Sequence, residues 1–87
     1  MQLENQNELI AYLTEVLEYT RVLQQTAALR NKTKKFKAIS SMLKIVEGRA
    51  SGTLQYAKGG GYSELPLTMQ KHMYDPILEW LNSEVSS

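Results

Sequence analysis

Cysteine is absent from this chain, and histidine and aspartate occur once each, as His72 and Asp75. The first absence excludes a disulfide framework, a thiolate nucleophile and a thiolate metal site. A fold without such staples fits a reducing compartment, and the cytoplasm is the expected location. No apolar run approaches the roughly 18 residues needed to span a bilayer. Met1 to Asn5 carry neither the basic nor the apolar stretch of a secretory leader. A membrane span and export are therefore not expected. Proline is limited to Pro66 and Pro76, and the first glycine is Gly48, so the first 47 residues contain neither helix breaker.

The scarcity of reactive groups bears on catalysis. A Ser/His/Asp triad would have to combine His72 with Asp75, three residues apart on one segment. In such a triad the acid orients the imidazole from the side opposite the serine, a geometry that helical neighbours do not readily offer. His72 reads better as a partly exposed helix residue and Asp75 as a helix cap. Glu15 and Glu18 are the only close helical pair of acids on the first helix. No Glu-x-x-His repeat supplies convergent metal ligands. Gly59, Gly60 and Gly61 beside Lys58 match neither nucleotide-binding glycine fingerprint and read as a turn. An enzyme, a metal and any other cofactor are not expected.

What the chain does have is segregated charge. Of 87 residues, ten are basic and nine acidic, for a net charge of +1. Residues 1–29 carry net −3, residues 30–49 net +6 and residues 50–87 net −2. The middle window holds Arg30, Lys32, Lys34, Lys35, Lys37, Lys44 and Arg49 against Glu47 alone. A nearly neutral protein is thus strongly dipolar, and the basic window points to an anionic surface as its partner.

Periodicity predicts an all-α fold, a single domain over residues 1–87 built as a small bundle of three helices. At about 87 residues only some 60–65% of the unfolded surface can be buried, so self-association is a plausible way to add core. Leu9, Leu13, Val16, Thr20, Leu23 and Ala27 recur at spacings of four and three, with Ile10, Leu17, Tyr12 and Tyr19 widening the stripe. Asn5 and Glu8 resemble a capping box that would start this helix near residue 6. A face so broad needs two neighbours, from the same chain or from a second copy, and makes Leu9, Leu13, Val16 and Leu23 candidates for self-association. The second helix is predicted over Thr33 to Glu47, burying Phe36, Ile39, Leu43 and Val46 and stopping at Gly48. Asn31, Lys32 and Thr33 separate the two. A helical hairpin is the favoured connection and one continuous helix the alternative.

Residues 48–65 read as a glycine-rich loop, with room for a short β-hairpin from Thr53 to Ala57 that turns at the triple glycine and returns through Tyr62. Pro66 would open the third helix, and Asp75 with Pro76 would restart or kink it. Ile77, Leu78 and Leu81 share its apolar face, with Trp80 beside it and Val85 trailing.

The favoured function is a non-enzymatic regulator that binds and modulates or inhibits a larger protein with an acidic surface, as small cytoplasmic inhibitors and phage-encoded host modulators do. Homo-oligomerisation is compatible with it. Lys34, Lys35, Lys37, Lys44 and Arg49 would form the contact face, and Tyr56 and Tyr62 would add an adaptable loop. The second reading is a small nucleic-acid-binding protein that sets the same lysines on phosphates. Against it stand the few arginines, the lack of interleaved exposed aromatics and the missing turn of a helix-turn-helix before Ile39. A basic amphipathic helix on a membrane surface is disfavoured, because Phe36, Ile39, Leu43 and Val46 are needed to cover the first helix.

Overall fold

The computed structural model describes residues 2–29 and 34–86, with side chains in the first helix from Gln6 onward. Three helices follow in order: α1 (Gln2–Leu29), α2 (Lys34–Lys58) and α3 (Leu67–Ser86), with a short 3-10 helix at Gly61–Glu64 before α3. No β-strand occurs among the described residues. The bundle measures 47 × 19 × 15 Å. Its long axis matches α1, whose 28 residues at about 1.5 Å each rise some 42 Å.

All six residues of the predicted α1 stripe are buried, and Leu17 joins them. Thr20 sits in this core without an unmet hydroxyl, since its Oγ1 donates to the Leu17 carbonyl at 2.8 Å. The helix begins earlier than the capping pattern implies and includes Asn5 within its span. α2 packs back along α1, as two contacts far apart on the hairpin show: Arg21 Nε to Glu47 Oε2 at 3.1 Å, and Gln6 Nε2 to the Ala57 carbonyl at 3.5 Å. The pair is therefore antiparallel, and a single continuous helix is excluded. The connecting residues, with Arg30 and Lys32, lie outside the described residues.

The largest departure from expectation is that α2 does not stop at Gly48. It continues through Gly52 to Lys58, so residues 48–58 form neither loop nor hairpin. The apolar spacing explains why. Val46, Ala50, Leu54 and Ala57 extend the stripe of Ile39 and Leu43 for three further turns, and all are buried. Each helical glycine costs about 0.5–1 kcal/mol relative to alanine. Burying Leu54 alone returns about 1.5–3 kcal/mol.

The true break comes at the glycine triplet. Gly59 N–H donates to the Gln55 carbonyl at 3.0 Å and Gly60 N–H to the Ala57 carbonyl at 3.3 Å, closing the last turn of α2. Gly60 then adopts φ +105°, which side chains disfavour. At Gly61 the Tyr56 ring lies over the α-carbon, where a Cβ would meet ring atoms at 2.2 Å.

Pro66 supplies the carbonyl that accepts the first α3 bond, from Gln70 N–H at 3.1 Å. Beyond it α3 runs without interruption across Pro76, which is exposed. Asp75 and Pro76 therefore do not restart a helix. On this outer side of the bundle, a backbone carbonyl deprived of its amide partner can be hydrated. Tyr74, Leu78, Leu81 and Val85 enter the core between α1 and α2. Lys35 Nζ to Glu84 Oε2 at 2.9 Å ties α3 to the start of α2.

Candidate binding surfaces

At about 100° per residue, the helix that buries Ile39, Leu43, Val46, Ala50, Leu54 and Ala57 must turn Lys34, Lys37, Ser41, Lys44, Ile45, Gly48 and Gly52 outward. None of these outward residues is buried. Lys34, Lys37 and Lys44 span about 15 Å of helix axis. Among the described residues none of the three makes an ion pair. Arg49 lies on the flank toward α3 and is likewise exposed. Lys35 is the member of the predicted set that the fold engages, through Glu84. Glu47, the lone acid of the basic window, faces α1 and is taken by Arg21. The outward face of α2 thus carries no acid.

The two predicted loop tyrosines are held by regular structure instead. Tyr56 belongs to the last turns of α2 and donates its hydroxyl to Glu64 Oε2 at 2.5 Å. That hydrogen bond, followed by the negative charge of Glu64, raises its pKa. Tyr62 lies in the 3-10 helix, half-buried against the core. An adaptable tyrosine loop is therefore not what residues 48–65 provide.

The residues expected to serve self-association, Leu9, Leu13, Val16 and Leu23, are buried in the chain's own core. α2 and α3 of the same molecule supply both neighbours that the broad α1 face requires. Large apolar residues that do remain exposed include Val22 on α1, Met42 and Ile45 on α2 and Trp80 on α3.

Between α1 and α3 runs an open groove of about 630 Å³. Glu15 and Glu18 stand on its α1 side, Asp75 and Glu79 on its α3 side, and Val16 and Leu78 contribute apolar floor. Among the described residues no lysine or arginine lines it. Tyr12 crosses one end and donates its hydroxyl to Asp75 Oδ1 at 2.5 Å. Burial first, and then this bond and the charge of Asp75, push the Tyr12 phenol well above its ordinary pKa. Lys71 also lies against that ring, its ammonium 5.7 Å from the centroid. Sequence spacing marks Glu15 and Glu18 as a close helical pair and Asp75 as a helix cap, and it singles out nothing at Glu79. Only the docking of α3 beside α1 makes them two rims of one groove. A smaller cleft of about 260 Å³ between α2 and α3 holds Ala38, Met42 and Trp80.

His72 is exposed, and Asp75 engages Tyr12. Among the described residues no three His, Cys, Asp or Glu side chains are placed to hold a metal ion, the four groove carboxylates included. No described helix is long and apolar enough to cross a membrane. The fold defines a protein of the all-α class, a three-helix bundle. Comparison with protein-family models, curated proteins and solved structures finds no match to this chain.

Proposed function

We propose that this bundle is a non-enzymatic interaction protein. Its outward α2 face would bind an acidic helix of a larger protein and modulate that protein by occlusion or bridging. One observation carries the reading: this face departs from good helix design at several positions, and among the described residues no ion pair compensates its charges. Lys34 and Lys37 stand in the first turns of α2, the positive end of the helix dipole, which has no acid in its first turn. Gly48 and Gly52 stand in the helix interior, where a Cβ added to either meets nothing within 4 Å. Alanine would be accommodated and would stabilise the helix.

Local choices that cost stability without an internal reason are a mark of functional surfaces. Here they share one chemistry. The lysines offer charge to an anionic partner, and the two glycines remove the bulk that would keep a partner backbone at a distance. Ile45, 69% exposed among them, supplies an apolar contact.

The test is capture from a lysate with the wild-type chain, with K34E/K37E/K44E and with G48A/G52A, each with and without nuclease. The proposal expects a stoichiometric protein that survives nuclease and is lost with both variants. Recovery of nucleic acid alone, weakening steeply with salt, would replace it with the phosphate-binding reading. Undiminished capture by both variants would remove the α2 face from consideration.

A further inference from the structure

We infer that the acidic groove between α1 and α3 seats the outward α2 face of a second copy of this chain, so that copies join head to tail. The inference rests on the reading of that face as the binding face, and adds both its receptor and its stoichiometry. The two surfaces are complementary in pattern as well as in sign. The groove has an apolar floor at Val16 and Leu78 between two carboxylate rims, Glu15 with Glu18 and Asp75 with Glu79. The α2 face has Ile45 near its centre, Ser41 and Gly48 one turn away on either side, Lys37 and Lys44 along one edge and Arg49 along the other. A helix of that profile laid in the groove would set its apolar centre on the apolar floor and its cations against both rims. The small residues let the backbones approach. The result is the fourth helix of a four-helix arrangement. Lys71, held against Tyr12, borders one end of the groove without lining it.

Geometry also fixes the kind of assembly. α2 buries its inner face on α1 and α3, so its outward face points away from the groove those two helices form. One molecule cannot offer both surfaces to the same partner in a two-fold dimer. The contact is heterologous, and it propagates into open chains or closes into a ring of more than two copies. An acidic partner on the α2 face would compete with this assembly.

Sedimentation velocity of the full chain over a wide concentration range tests it. The weight-average mass should climb past that of a dimer at low salt and fall back at high salt, because exposed charges are screened within about 8–10 Å near physiological ionic strength. A groove variant, E15Q/E18Q/E79Q, and a face variant, K37Q/K44Q, should each weaken assembly at least about tenfold, with unchanged helix content by circular dichroism. Mixed, the two leave one intact groove and one intact face, and should stop at a 1:1 dimer. That outcome also proves both variants folded. A wild-type chain that stays monomeric, one that halts at a dimer, or a groove variant that assembles like wild type would each overturn the inference. The groove variant keeps its α2 face, so capture of an acidic protein partner by it reports on the proposed function separately. Capture without assembly sinks only the second copy, and assembly without capture sinks only the larger partner.

Discussion

The inner and outer faces of α2 occupy the same 25 residues and obey different rules. The inner face is accounted for entirely by the fold: Ile39, Leu43, Val46, Ala50, Leu54 and Ala57 are all buried. The outer face has lysines where the helix dipole disfavours them and glycines where the helix has no use for them. One face was selected for packing. The other carries residues that packing does not require, and the proposed binding role rests on that difference.

The comparison breaks most visibly on the inner side. Leu43→Ala, at a position with no exposure, should cost about 2–5 kcal/mol in urea unfolding. That is a large share of the 5–15 kcal/mol typical of a domain. On the outer side the sign should reverse. G48A/G52A should gain about 0.5–1 kcal/mol per site, raising Tm by about 4–8 °C for each kcal/mol, while partner capture falls. A loss of stability in this variant would mean that the glycines serve the monomer, and would erase the contrast.

A smaller effect belongs to the α1–α3 side. Tyr12→Phe removes the bond to Asp75 and should cost about 0.5–1.5 kcal/mol near neutral pH. The sign of its pH dependence is fixed. Folding raises the phenol pKa, so the stabilisation is fully present below the unfolded value of 10.0 and is lost as pH climbs from there toward the higher folded value. The difference between wild type and Tyr12→Phe in denaturant midpoint should therefore stay flat from neutral pH up to pH 10 and shrink above it. Smallest of all is the stability effect of K34E/K37E/K44E. It should be neutral or a gain below about 1 kcal/mol, because Lys34→Glu and Lys37→Glu put acids at the positive end of α2. Its binding should nevertheless be abolished.

The α1 stripe was legible in full because a spacing of four and three leaves little choice about which side faces inward. α2 was legible only as far as Val46. Gly48 and Gly52 are stop signals by propensity, and the apolar positions beyond them, Ala50, Leu54 and Ala57, are small or widely spaced. They outweigh the glycines only once α1 is there to cover them. The basic face was readable from spacing alone. The acidic groove was not, because Glu15 and Glu18 lie some sixty residues from Asp75 and Glu79, and no local pattern announces that α3 will settle beside α1. The core glutamine Gln70 was missed for the same reason, since its burial depends on its neighbours and not on its own polarity.

The sequence by itself determined that there are three helices, the full α1 stripe, the α2 stripe from Ile39 to Val46, the turn at the glycine triplet and the segregation of charge. These follow from backbone propensity and from a periodicity that acts over a few residues. The tertiary structure alone decided that α2 would override its glycines, that the wide α1 face would be satisfied within one molecule, and that four separate carboxylates would line one groove. Each of those outcomes depends on burial between segments far apart in the chain, and burial exists only after the helices have packed.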